Sequence, residues 1–339
     1  MNELAELRAR KRQILDLTES NPTHAGILYP PGFVSYEPEP FGLMSARETI
    51  AREFGAPVDR VVLTASTSEA YSWLFKLFCD PGDEVLVPRP SYPLFEYLAA
   101  LESVKVRNYN LFYDYGWFID FHTLRQAISE RTRAIVLVNP NNPTGHFLKA
   151  HELAELTSFG LPIISDEVFR DYVLDPAPDA VRTLQGVDDA LVFTLNGLSK
   201  TVGLPQMKLA WMIASGPADE ALERLELIAD TYLSVGSPVQ LALPELLALR
   251  EPVQRQITER ARVNLALLRS SGLRVLNVEG GWYAIVAHEE DSAIALLRDH
   301  DVLVQPGYFY DFEQSGYLVL SLLTPPDVFR EGVARLLLC

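Results

Sequence analysis

Three apolar runs of this chain each end in a group that can do chemistry. AIVLV (134–138) runs into Asn139-Pro140-Asn141-Asn142-Pro143-Thr144-Gly145, PIIS (162–165) into Asp166-Glu167, and LVFTL (191–195) into Asn196-Gly197-Leu198-Ser199-Lys200. If these runs are parallel strands, one crevice beyond their carboxyl ends receives an amide, a carboxylate and an amine, because open α/β sheets bind ligands there. Lys200 has a companion, Lys208, across the Gly/Pro loop of LSKTVGLPQMK, and the whole chain of 339 residues has only six lysines. A fourth run, VVLT (61–64), leads through Ser66, Thr67 and Ser68 into the helix-like AYSWLFKLF. Backbone N–H groups and three hydroxyls then converge at a helix N-terminus, a ready anion site. Each motif alone has a plainer reading: a turn, a helix cap, a solvated lysine. Their coincidence at consecutive strand ends favours a site.

The elements that must position these groups follow from the pattern of apolar residues. From about residue 60 to 215, short apolar runs, EVLVP (84–88) among them, alternate with helix-like segments, which predicts parallel strands joined by crossover helices. After 215 the pattern changes to long amphipathic stretches, ADEALERLELIADTYL and PVQLALPELLALREPVQRQITERARVNLALLRSSG. From 273 onward, strand-like RVLNV, WYAIV and YLVLSLL mix with helix-like DSAIALLRDH and DVFREGVARLLL, which predicts a separate α+β unit. No internal repeat or low-complexity tract interrupts the chain.

Bulk composition excludes several function classes. Hydrophobic residues make up 48% and charged residues 22%, as in an ordinary globular enzyme, and the length suits one large domain plus a smaller one. A formal charge of −16 opposes binding to nucleic acid or to an anionic membrane surface. Two cysteines, Cys79 and Cys339, offer neither a disulfide framework nor metal-ligand spacing. The opening MNELAELRARKRQIL reads as a charged amphipathic helix without the apolar core of a signal peptide, and no apolar run is long enough to span a membrane. A cytoplasmic protein in a reducing compartment is expected.

Taken in order, YEPEPFG, PSYPLFEY, NPNNPTG, SDEVF and LSKTVGLPQMK resemble the motifs of pyridoxal-phosphate-dependent class I/II aminotransferases of the aspartate aminotransferase fold type, over roughly residues 17 to 320. The resemblance implies an α/β fold: a three-layer large domain with a mostly parallel sheet, about 41–240, and a smaller α+β domain from 1–40 plus 241–339. It implies that Lys200 forms a Schiff base with the cofactor and later moves the substrate proton, tasks that suit an amine whose pKa is lowered by burial. Asp166 would keep the pyridine nitrogen protonated and the ring an electron sink. Asn142 would donate to the ring oxygen, and Tyr92 would stack on the ring. Ser66, Thr67, Ser68 and Ser199 would surround the phosphate, with Lys208 where the family usually has an arginine; a lysine is a point charge without bidentate geometry, so the grip should be looser. Tyr36 resembles a tyrosine that reaches the neighbouring subunit's phosphate, which implies a homodimer with a shared site. Asn21, in TESNPT, matches a substrate-side loop. The implied partners are a small amino donor and a keto acceptor.

Three departures from the family pattern bear on function. Phe169 stands where a tyrosine usually bonds the ring oxygen, which should raise the pKa of the Schiff base. Gly197 replaces a common phosphate-binding serine. In Tyr317-Leu318-Val319-Leu320-Ser321, Val319 occupies the place of the arginine that clamps the substrate α-carboxylate. Arg170 and Arg330 are conceivable substitutes. The amino donor is therefore expected not to be a standard α-amino acid held in the usual manner. A lyase or decarboxylase of the same fold is the second reading, and a non-catalytic cofactor-binding sensor the third.

Overall fold

The computed structural model describes residues 7, 10, 15, 17–18, 20–30, 36–289 and 292–338. The chain divides into two compact units, Met1–Pro38 and Glu39–Cys339. In the first unit, Leu7 and Arg10 are helical, and the rest of the expected N-terminal helix lies mostly outside the described residues.

Strands of the second unit form two sheets among the described residues. The larger comprises β1 (Val61–Thr64), β2 (Glu84–Arg89), β3 (Lys105–Tyr113), β4 (Trp117–Ile119), β5 (Thr132–Val138), β6 (Ile163–Asp166), β7 (Val192–Gly197) and β8 (Ala210–Ser215), in the order β1-β8-β7-β6-β5-β2-β3-β4. Strands from β7 through β3 pair in parallel, while β8 is antiparallel to both its neighbours and β4 closes a hairpin on β3. From β2 the chain moves outward to β3 and β4, then returns to the other side of β2 as β5 and moves outward again through β6 and β7. The order therefore reverses between β2 and β5, which places a topological switch point, the usual ligand crevice, at their carboxyl ends.

Helices cover both faces, which gives three layers. Along β5 Ala134, Val136 and Val138 face a core shared with α1 (Thr67–Phe78), while Ile135 and Leu137 face a core shared with α2 (Phe121–Ala127) and α3 (Ala150–Ser158). Burial on both faces explains why these strands read as unbroken apolar runs instead of alternating ones. The expected strands of this sheet appear within a residue or two; β3, β4 and β8 complete it.

The second sheet is antiparallel, with β9 (Arg274–Val275), β10 (Tyr283–Ala287), β11 (Gln305–Pro306) and β12 (Tyr317–Ser321) in the order β11-β12-β10-β9. The expected strand RVLNV is only two residues long. The second long amphipathic stretch, PVQLALPELLALREPVQRQITERARVNLALLRSSG, is broken into Ser237–Leu241, Leu243–Leu247 and the long α4 (Arg250–Ser270), with prolines in the first turns of the short pieces. Proline lacks the N–H that a continuing helix needs, so it starts a helix and does not extend one. At its start α4 is tied to the large sheet's loops through Arg250 to Asp171 (3.0 Å) and Gln254 to the Thr201 carbonyl (2.9 Å). Farther along, Leu265 and Leu268 enter the core of the second sheet, and Asn264 donates to the carbonyls of Leu322 and Thr324. No helix among the described residues is long and apolar enough to cross a membrane.

Candidate active site

Four consecutive parallel strands, β2, β5, β6 and β7, deliver Tyr92, Asn142, Asp166 and Lys200 just past or at their carboxyl ends, on both sides of the switch point. Asp166 is the last residue of β6 and is 7% exposed. Among the described residues its carboxylate accepts from the Val168 N–H and the Tyr71 hydroxyl alone, both at 3.2 Å. Burial pushes its pKa up to about 6; those two bonds and the charge of Lys200 oppose the rise, and the neighbouring Glu167 adds to it. The Tyr71 hydroxyl is held far from ionisation by burial and by Asp166. Tyr71 lies one turn into α1, so that helix presents its N-terminus and the Asp166 partner to the same crevice.

Lys200 sits in the short helix Leu198–Thr201 that follows β7. Burial lowers the pKa of its amine, and the Asp166 charge partly offsets this. Among the described residues its Nζ makes no hydrogen bond; it lies 5.1 Å from the Trp282 ring centre and 5.7 Å from that of Phe169. Phe169 packs edge-on against Trp282 at 4.9 Å. The nearest tyrosine on the same loop, Tyr172, does not replace the missing hydroxyl, because it donates to the Lys200 backbone carbonyl. Tyr92 is half-buried, meets Phe95 edge-on at 5.8 Å, and has its pKa raised by burial and then by Asp166.

The two asparagines of NPNNPTG play different parts. Asn141 is spent on its own loop and on the loop after β2: its Oδ1 accepts from Ser91 Oγ (2.8 Å), and its amide donates to the Pro90 carbonyl (3.0 Å) and Thr144 Oγ1 (2.9 Å). Asn142 Oδ1 is buried with no partner among the described residues. An unpaired buried amide is costly, and a ligand with a matching group would repay it.

At the start of α1, Ser66 caps the helix by accepting from the Glu69 N–H (3.2 Å), and Glu69 accepts from the Ala65 N–H (2.6 Å) and from Ser234 Oγ (2.7 Å). The Thr67 and Ser68 N–H groups remain in the first turn, where no intrahelical acceptor exists. Ser199 is half-buried. Lys208 is exposed, adopts left-handed backbone angles (φ 50°, ψ 50°) and has no ion pair among the described residues. Gly197 is opposite Ala210 in the β7–β8 register, and a Cβ there would meet the Ala210 Cβ at 2.9 Å. A serine at 197 is therefore sterically excluded by its cross-strand neighbour.

Tyr36 and Asn21 lie in the first unit. Tyr36 donates its N–H to Thr23 Oγ1 (2.9 Å) and accepts at its carbonyl from Asn21 Nδ2 (2.7 Å), while Asn21 Oδ1 accepts from Thr23 (3.0 Å from N, 2.7 Å from Oγ1). The Asn21 amide is thus engaged in its own turn. The two conceivable substitutes for the carboxylate clamp differ in their surroundings. Arg170 is committed to Glu167 (3.4 Å) and Thr183 and stacks on Phe54, and Arg330 is exposed on the helix Pro326–Leu336. Val319 itself is 2% exposed, pairs with Ile285 in the second sheet, and enters with it the core shared with α2 and α3. Sequence reasoning missed Tyr71 and Trp282. The GGWY segment carried a signal for the second, a large aromatic placed after two glycines.

The residues present fit pyridoxal phosphate: an amine kept below its ordinary pKa, a carboxylate with unused acceptor capacity, an unpartnered amide, an aromatic face and a helix N-terminus. Comparison with known proteins agrees. Glutamate-pyruvate aminotransferase AlaA of Haemophilus influenzae is 27% identical over 87% of this chain and 80% of its own length. The protein of that name from Escherichia coli is 32% identical over 66% of this chain and 58% of its own. The solved structure of alanine aminotransferase from Pyrococcus furiosus is 26% identical, with a TM-score of 0.78 over 88% of this chain and 82% of that one. The family model for aminotransferase class I and II matches residues 34–336, and with the site described above it places this chain among the pyridoxal-phosphate-dependent aminotransferases of class I and II.

Proposed function

We propose that this enzyme moves an amino group between an amino donor and a keto acid, using Lys200 as its reactive amine, and that its donor is not clamped through an arginine at position 319. The observation that carries the reading is the delivery of Tyr92, Asn142, Asp166 and Lys200 by adjacent strand ends around a switch point. When bound, pyridoxal phosphate supplies a carbonyl carbon for an amine to attack and an electron-poor ring that stabilises negative charge at the substrate α-carbon. Lys200 would hold it, and the lowered pKa leaves a larger share of the amine neutral, able to attack and to take up a proton at Nζ. Asp166 would pair with a protonated ring nitrogen, whose charge offsets the burial that raises the carboxyl. Asn142 would orient the ring through its unpartnered amide. Tyr92 would cover one ring face, and the first turn of α1 with Ser66, Thr67, Ser68, Ser199 and Lys208 would neutralise the phosphate.

The relatives' printed activities, alanine and glutamate-pyruvate transamination, are the starting point for a donor screen. The buried, apolar surroundings of Val319 support a different mode of holding the donor carboxylate, or a donor without one. The reading includes a homodimer in which Tyr36 reaches the partner's phosphate, Asn21 on the substrate side, and a cofactor domain of about 41–240 with the smaller one completed by 241–339. Adding pyridoxal phosphate should produce a visible absorption band that borohydride fixes onto the Lys200 peptide. Lys200→Ala should lack it; a band that persists in the variant overturns the reading. Rapid conversion of that band by alanine or glutamate with low KM would overturn the part concerning the donor.

A further inference from the structure

A second buried ionic cluster lies beside the site, and nothing in the proposed chemistry uses it. It begins where the NPNNPTG loop ends. Lys149 Nζ is 2.7 Å from Glu279 Oε2 and also donates to the Phe147 carbonyl. Glu279 Oε2 accepts the Phe147 N–H at 2.9 Å, and His146 Nδ1 lies 3.3 Å from Lys149 Nζ and 4.0 Å from Glu279. His146 Nε2 reaches Glu152 at 3.1 Å. All four side chains are buried.

Glu279 is the one member carried by the second sheet's approach, and its backbone is anchored as firmly as its side chain. Its carbonyl accepts from the N–H groups of both Leu174 and Asp175 at 3.0 Å. The next residue, Gly280, donates to the Gly145 carbonyl (3.0 Å), and a Cβ there would stand 2.5 Å from the Phe147 ring. Gly281 donates to the Tyr172 carbonyl at 2.8 Å. The segment is thus threaded between the loop that bears Asn142 and the loop that bears Phe169. Three residues beyond Glu279 the chain presents Trp282, whose indole covers Lys200 Nζ.

We propose that Glu279 is a positioning residue: its carboxylate, bonded to Lys149 and to the Phe147 N–H, sets where the Trp282 indole lies over the Lys200 amine. Two glycines bring the backbone close enough to be held, but they carry no side chain to lock it. The ionic anchor at Glu279 supplies that lock. If the anchor is weakened, Trp282 moves away and water reaches Nζ. The amine then loses more desolvation than ring attraction, because an aromatic face contributes only modestly to holding a cation whereas burial disfavours the charge strongly.

The inference rests on Lys200 being the reactive amine, and its test reads that amine directly. The full-length protein is freed of any bound carbonyl compound with hydroxylamine, and the acylation rate of the Lys200 peptide is followed against pH, with exposed Lys105 as an internal standard. Glu279→Gln keeps the shape but not the charge and should raise the Lys200 pKa by about half a unit or more toward its ordinary value. Trp282→Ala should raise it at least as far, and the double variant should match Trp282→Ala alone. If Glu279→Gln does not fold, Lys149→Met, which removes the anchor's other half, is titrated instead with the same expectation. A lower melting temperature with an unchanged or lowered Lys200 pKa would overturn the proposal, as would additive shifts in the double variant. Loss of the visible band's dependence on Lys200 would instead strike the proposed function and leave this titration interpretable.

Discussion

Lys149 and Lys200 each lie near buried carboxylates, yet one surrounding is closed and the other open. The Lys149 ammonium donates to Glu279 and to the Phe147 carbonyl, and His146 Nδ1 lies 3.3 Å from it. Glu152, beyond His146, also accepts from the N–H groups of Ile119 (2.7 Å) and Lys149 (2.8 Å). Around Lys200 the amine meets two aromatic rings, and Asp166 accepts two long bonds. The same residue types act as a bolt when donors and acceptors are matched and as reagents when capacity is left over. A buried polar group without partners costs free energy, so such a group persists where a ligand completes it.

The comparison can be broken most decisively at the lysines. Lys200→Ala should reduce amino transfer by about 10⁴-fold or more while the unfolding midpoint of the cofactor-free protein changes little. Lys149→Met should act chiefly on stability, costing about 3–5 kcal/mol in urea unfolding because Glu279 is left buried without a counter-ion. A large loss of activity with unchanged stability in Lys149→Met would show that the closed cluster is not a bolt.

Asp166 sharpens the contrast through pH. Its carboxyl titrates at about 6 in the folded protein, against roughly 4 in an unfolded chain. Between those values the folded state keeps a proton that the unfolded chain has released. Stability is therefore lost as pH rises from about 4 to about 6 and stays lower above that. Asp166→Asn should remove this loss, making the cofactor-free variant more stable than the parent by up to about 3 kcal/mol at pH 7 and giving no such gain near pH 3.5. Parallel stability profiles across that range would contradict the open-site description.

The smallest effect separates two adjacent asparagines. Asn141→Ala should destabilise by about 2 kcal/mol, since it strands partners at Ser91, Pro90 and Thr144. Asn142→Ala, which breaks no bond to Oδ1, should stay within about 0.5 kcal/mol while weakening pyridoxal phosphate binding, measured by titration of the visible band.

Much of this was legible in the chain. The strand runs at 61–64, 84–88, 134–138, 162–165 and 191–195 correspond to β1, β2, β5, β6 and β7 because residues buried on both faces leave unbroken apolar runs. β3 was hidden by its polar alternation, KVRNYNLFY, and β4 by its three-residue length. Lys200, Asp166 and Asn142 were found because they follow such runs directly. Tyr71 and Trp282 were not, since each reaches its partner across the fold: Tyr71 from a helix, Trp282 from the residue just before β10.

Local pattern and residue chemistry were enough to determine the strands buried on both faces, which strand ends carry an amide, a carboxylate and an amine, and which family these motifs belong to. The strand order that puts Tyr92 and Asn142 on either side of a switch point was decided only by tertiary structure. So were the Ala210 side chain that excludes a serine at 197, the burial of Val319 and the indole over Lys200. Periodicity and turn chemistry act over a few residues, whereas these contacts join residues 13 to 82 positions apart, where packing and sheet order choose the neighbours.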